Sequence, residues 1–191
     1  MTRLILLIPA FVGTFFLGRS FGQEVQTFCD ECESTYVSAE EIQEYLEVAS
    51  ADQQVRSLDI GDVQMQVAIS HRGRLEEPGR VAEHDLVTEV YYVISGSGTN
   101  VTGSDLVDAV TRPPDNRAVR FLNGPGHNAT AIRNGTTHEL SAGDVLVIPA
   151  GTGHQFTRID DHIRYVMIRI DPDKMVQLMD EADSQEYLRN R

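Results

Sequence analysis

Apolar and polar residues alternate along residues 63–70, with Val63, Met65, Val67 and Ile69 set against Gln64, Gln66, Ala68 and Ser70. A period of two marks a half-buried β-strand, because successive side chains in a strand point to opposite faces. Residues 163–170, reading IRYVMIRI, form a second strong β-former, and residues 145–148 are a short β-branched run suited to a buried strand. Another strand follows His84 and ends at Gly96, and weaker strand signals cover residues 118–122 and 129–133. Turn chemistry separates them: Asn123-Gly124-Pro125-Gly126, and Asn134-Gly135, a pair that favours a tight hairpin. Many short strands with regular turns predict an all-β antiparallel sandwich or jelly roll.

Two segments change period. Ser38 with Glu41 three residues on is a capping-box signal, and Ile42, Tyr45, Leu46 and Ala49 follow at helical spacing, which predicts a short amphipathic helix over 39–49. Met175, Val176, Leu178 and Met179 predict a second helix after Pro172. Both carry packing or a dimer contact rather than chemistry. The span 97–142 is long, and its polar stretch 111–117 reads as an inserted surface loop near one end of the barrel.

The amino terminus speaks to the compartment. Arg3, the apolar run Leu4 to Leu17 and the small residues around Ser20-Phe21-Gly22 look like a secretory signal peptide, and the run is shorter than the roughly 20 residues that span a bilayer. The expectation is a secreted or periplasmic protein, free of the membrane after cleavage. The predicted division is signal peptide 1–22, an extension 23–60 with the short helix, a barrel 61–172 and a C-terminal helix 173–191. Cys29 and Cys32 in the extension form a CxxC pair, most simply a local disulfide in an oxidising compartment; an intermolecular disulfide and free thiols are the alternatives. The formal net charge of −13 becomes −15 if Arg3 and Arg19 leave with the signal. Such an acidic excess excludes nucleic acid and anionic membrane surfaces as partners. Asn100, Asn128 and Asn134 each begin an Asn-x-Thr acceptor pattern, which matters in a eukaryotic source.

The chemistry lies in two places. Residues 143–154, GDVLVIPAGTGH, place a histidine just past a turn stiffened by Pro149 and loosened by Gly151 and Gly153, so that His154 starts the next strand in one defined direction. Upstream, His84 and Glu89 flank the start of a strand. Two imidazoles and one carboxylate suit a divalent iron, manganese, zinc, nickel or copper ion and leave coordination positions open.

At these residues the chain resembles the cupin superfamily, whose motifs are G(x)5HxH(x)3-4E(x)6G and G(x)5PxG(x)2H(x)3N. The second pattern fits through His154. With a four-residue spacing, His84 falls on the second histidine of the first motif, Glu89 on its glutamate and Gly96 on its closing glycine. Ala82 stands where the first histidine belongs and Arg158 where the final asparagine does. The resemblance, over about residues 62–172, implies a double-stranded β-helix, or jelly-roll barrel, with short flanking helices, and one divalent ion held by His84, Glu89 and His154. A competing register has Glu83 and Asp85 supply oxygen ligands and turns His84 away.

Three readings of function follow. The first is a mononuclear metal-dependent enzyme on a small organic molecule, of dioxygenase, lyase or isomerase type, with Tyr91 on the Glu89 face of its strand orienting substrate or supplying a proton. Packing is the plain alternative for Tyr91. The second is a non-catalytic cupin binding a sugar or other small polar metabolite. The third, a structural or storage role, fits the His/Glu/His set poorly. His127 is either a group facing the cavity or a solvent-exposed turn histidine, while His71, His138 and His162 lack ligand spacing.

Overall fold

The longest strand organises the structure, a computed structural model that describes residues 33–48 and 52–190. The signal-peptide reading of residues 1–22 and the Cys29–Cys32 pair lie outside the described residues. In chain order the elements are α1 (Ala39–Val48), β1 (Asp52–Asp59), β2 (Gln64–Leu75), β3 (Val81–His84), β4 (Thr88–Gly103), β5 (Asp105–Val107), β6 (Val110–Thr111), a π-helical turn (Val119–Asn123), β7 (Gly126–Ala129), β8 (Ala131–Arg133), β9 (Thr136–Ser141), β10 (Val145–Ile148), β11 (Gly153–Asp171) and α2 (Glu181–Arg189).

β11 pairs antiparallel with β2 from Ile159 to Asp171, with β4 from Gly153 to Ile170, and with β3 where His154 faces Ala82. β4 pairs its first half with β10 and its second with β9. β1 extends the sheet beyond β2, and β7 and β6 extend it beyond β3. This is the all-β jelly-roll barrel that the strand spacing predicts.

The barrel core gathers Tyr91, Val93, Leu146, Ile148, Phe156, Ile163, Tyr165 and Met167. β11 shows the underlying alternation: Ile163, Tyr165, Met167 and Arg169 are buried while the residues between them are partly or fully exposed. The outer face of β1 and β2 is covered instead by the helices, with Tyr45, Leu46, Val55 and Ile69 packed together. Tyr45 stacks on Tyr187 of α2 at 5.9 Å, and Arg56 of β1 pairs with Glu41 of α1 through contacts of 2.8 and 3.0 Å.

Several sequence expectations are corrected. Along β2 it is the polar set Gln64, Gln66, Ala68 and Ser70 that is fully buried, whereas Met65 and Val67 are only partly so. Both faces of this strand are covered, so alternation located the strand, and its half-buried reading gives way to burial on both faces. The run 145–148 is half-buried: Val145 and Val147 are exposed, opposite Tyr92 and Val90 on β4. Residues 119–123 form the π-helical turn rather than a strand, and 129–133 divide at Thr130 between β7 and β8. The C-terminal helix starts at Glu181, after Asp180, whose side chain accepts from the Asp183 amide; residues 175–179 are not helical. Asn100 is fully buried within β4, so it cannot carry a glycan in the folded chain. Among the described residues no helix is long and apolar enough to cross a membrane.

Candidate metal centre

Two backbone devices bring the distant motifs together. The Gly151 amide, at a φ of 76° that only glycine adopts without strain, donates to the His84 carbonyl at 2.7 Å. The Ala150 amide donates to Thr88 Oγ1 at 3.2 Å. The turn of the second motif is thereby clamped onto the start of β4, and the side chains of β3, β4 and β11 meet inside. Gly96 does not end its strand as the sequence suggested but lies within β4, at a φ of 75° and where a Cβ would lie 1.9 Å from the His162 carbonyl oxygen.

His84, Glu89 and His154 are buried together. Glu89 Oε2 lies 3.6 Å from His84 Nε2 and 3.5 Å from His154 Nε2, and the two imidazole rings are 5.2 Å apart. Glu83 and Asp85 do not join them. They face the other side of β3, where Glu83 Oε2 accepts from His127 Nδ1 at 2.8 Å and from the His127 amide at 3.1 Å, and Asp85 Oδ1 lies 3.2 Å from the same ring. His127 therefore sits at the rim in a second cluster and faces neither the cavity nor bulk solvent alone.

Glu89 is held from both ends. Arg169 Nε donates to Oε1 at 2.8 Å, and the Tyr91 hydroxyl donates to Oε2 at 2.9 Å. Burial opposes its charge, yet His84, Arg169 and His154 together keep the carboxyl well below its ordinary range. Arg169 is itself fully buried and continues outward to Gln54 Oε1 at 3.2 Å and to Asp52. Burial, followed by the neighbouring Glu89 charge, pushes the Tyr91 hydroxyl well above its usual range, so its proton is committed to Glu89.

The two imidazoles differ. Burial lowers His154 to about 4, which leaves the ring neutral at physiological pH. Its Nδ1 lies 3.4 Å from the Thr152 carbonyl, an acceptor that keeps the proton on Nδ1 and the lone pair on Nε2, toward Glu89. His84 Nδ1 instead faces Arg112 Nη1 at 3.4 Å, and a guanidinium only donates. His84 Nε2 lies 3.3 Å from Asn123 Nδ2, which also only donates, so the two donors compete for the single lone pair of the neutral ring.

Nitrogen, nitrogen and oxygen donors all lying within 4.8 Å of one another fit a single divalent ion. Bonds of about 2.1 Å at tetrahedral or octahedral angles require donor separations of about 3.0–3.4 Å, a small contraction of the observed 3.5 and 3.6 Å. His154 is preset to ligate through Nε2, whereas at His84 Arg112 and Asn123 compete for the lone pair that ligation needs. Tyr91 packs edge-on against His154 and both line a cleft of about 130 Å³.

Sequence reasoning missed Arg169 and Arg112. Arg169 was readable as a charged residue continuing the inward face that Ile163, Tyr165 and Met167 make apolar. Arg112 lies in the stretch expected to be a surface loop, yet it is buried, and its Nη2 donates to the carbonyls of Glu83 and His127 at 2.9 and 2.8 Å.

A family model described as the AraC-like ligand binding domain matches residues 131–190. No curated protein matches the chain in sequence. Among solved structures, a Bacillus halodurans protein is 15% identical, covering 80% of this chain and 95% of its own, with a TM-score of 0.42. A Klebsiella pneumoniae protein with a double-stranded β-helix domain is 16% identical, with 75% and 94% covered and a TM-score of 0.43. Hydroquinone 1,2-dioxygenase PnpCD, in complex with Cd2+ and 4-hydroxybenzonitrile, is 14% identical, with 77% and 83% covered and a TM-score of 0.42. None of these likenesses bears on activity. The barrel, with its motif residues brought together inside it, is the jelly-roll architecture that the resemblance to the cupin superfamily implies. The AraC-like match falls on its second half, from β8 to the C-terminal helix.

Proposed function

We propose that this protein is a mononuclear metal-dependent enzyme acting on a small organic molecule, with His84, Glu89 and His154 holding one divalent ion. The observation that carries the reading is the meeting of these three side chains within the barrel, with His154 neutral and its Nε2 lone pair turned toward Glu89. A bound ion would act as a Lewis acid on a substrate oxygen or open a coordination position for dioxygen, which keeps dioxygenase, lyase and isomerase chemistry within the reading. The chain's own contribution is positional. Arg169 and Tyr91 fix the Glu89 carboxylate, Thr152 fixes the His154 ring, and the buried walls exclude water. Export is part of the proposal and rests on the sequence of residues 1–22.

Metal analysis of the purified protein beside a folded His154→Ala variant tests it. Stoichiometric metal in the wild type, falling below a tenth of that in the variant, is the expected result. A wild-type chain that takes up no iron, manganese, zinc, nickel or copper on reconstitution overturns it. A second reading, a non-catalytic cupin that binds a small polar metabolite, is favoured by the AraC-like ligand-binding match and by Ala82 in place of an imidazole. Metal binding without turnover of any metabolite in an oxygen-consumption and product screen would select it.

A further inference from the structure

The geometry points to a small carboxylate as the ligand of the cleft beside His154, gripped by Arg72, Arg80 and Gln155; the inference rests on reading this cleft as the substrate entrance of the proposed centre. The chain carries 29 acidic residues against 16 basic ones, yet the cleft is lined by two arginines and no acid. The larger groove of about 500 Å³, between β1, the π-helical turn and α2, shows the contrast: it sets Arg117 against Asp183 and Glu186.

Each gripping group has capacity to spare. Arg72 spends its Nε on the Tyr165 hydroxyl at 2.8 Å, and its guanidinium carbon lies 5.6 Å from the Phe156 ring centre, which holds the head group in place. No hydrogen bond engages its two terminal nitrogens among the described residues, and Arg80 has no hydrogen-bond or ion-pair partner there. Gln155 is 8% exposed and its buried Oε1 has no partner. A buried amide oxygen without a donor costs free energy unless a ligand or water supplies one. Paired guanidinium groups are the strongest side-chain receptors for carboxylate, which takes two parallel N–H donors from each fork.

The size of the cleft sets the rest. Ala82, opposite His154 in the β3–β11 pair, lines it with a single methyl group, so the volume that an imidazole would fill at that position stays open. A cavity of about 130 Å³ takes an acid of a few carbons and no larger body. The buried Glu89 charge, which Tyr91 connects to the cleft wall, is already matched by Arg169 and does not repel such a ligand from an uncompensated site.

Calorimetric titration with malonate, and with malonamide as its neutral counterpart of the same shape, tests the inference on chelator-treated and on metal-loaded full-length chain. Malonate is expected to bind at least tenfold more tightly than malonamide to both forms. Arg80→Gln, an exposed change that leaves folding intact, should weaken malonate fivefold or more, and Ala82→Leu should abolish binding by filling the cleft. Equal affinity for acid and amide, or malonate binding that Arg80→Gln leaves unchanged, overturns the inference; the latter outcome in the metal-loaded chain alone identifies simple chelation of the ion. Discrimination in the metal-free protein upholds it even if the metal reading fails. Stoichiometric metal with no discrimination refutes this inference and leaves that reading standing.

Discussion

Strand β3 carries one histidine–carboxylate cluster on each side, and the two behave in opposite ways. Inside, His84 meets Glu89 and His154; outside, Glu83 and Asp85 meet His127. Both use imidazole and carboxylate donors, two to one inside and one to two outside, so donor type alone does not separate them. Burial does. The inner imidazole of His154 is pushed down to about 4 by desolvation, whereas the half-exposed His127 is raised, first by its hydrogen bond to Glu83 and despite some burial. The inner group waits for a cation with a free lone pair; the outer one takes up a proton and completes its own ion pair.

The largest test of this contrast strikes the charge that the inner cluster depends on. Arg169→Met leaves the Glu89 carboxylate buried without its main partner, and the expected loss is about 3–5 kcal/mol of stability in urea unfolding. Glu83→Gln, which removes the negative charge that the His127 ring and amide share in a more open setting, should cost about 1 kcal/mol. If the two losses are equal, burial is not what distinguishes the clusters.

The pH dependence of the metal-free protein comes next, and the signs are opposed. His154 titrates at about 4 in the fold and near its ordinary 6.5 when unfolded, so the unfolded chain binds the extra proton between those values. Its contribution is complete above about pH 6.5 and is lost as pH falls toward 4, a term on the order of 3 kcal/mol. Glu89, held below its ordinary 4.5, adds to the acid loss only below that pH. His127 runs the other way: its raised value in the fold gives stability that is present below about pH 6.5 and fades as pH rises through the folded value. Urea unfolding across pH 4–9 in chelator should show the acid limb flattened in His154→Asn and the alkaline limb flattened in His127→Gln. An acid limb that survives in His154→Asn removes burial of that ring as its cause.

Much of this contrast was legible before the structure. The PxG turn announced a histidine placed by backbone constraint, and the four-residue spacing from His84 to Glu89 chose the face that turns inward. The rejected register, with Glu83 and Asp85, picked out real neighbours of each other and put them on the wrong side of the strand, because period two identifies a set of residues and not which face is wet. The same limit applies to β2, where Gln64, Gln66 and Ser70 are buried on the face of Ala68, a barrel-core residue, while Val67 packs toward the helices. Arg169 and Arg112 escaped for a different reason. Their partners lie 80 and 28 residues away, and no local pattern encodes a contact of that span.

Arg112 is the physical link between the clusters and frames the subtlest test. Its Nη1 approaches His84 inside, while its Nη2 holds the carbonyls of Glu83 and His127, so only backbone atoms of the outer cluster are tied to the inner one. Changing the outer side chains should then leave the inner donors where they are. His127→Gln is expected to keep metal affinity within twofold of wild type, measured by competition with a chromophoric chelator at pH 7.5, where an exposed rim charge is also screened by salt. A shift of tenfold or more would mean that the outer imidazole reaches the centre through Arg112, by moving the guanidinium away from His84 Nδ1 and freeing that nitrogen to take the proton that ligation through Nε2 requires.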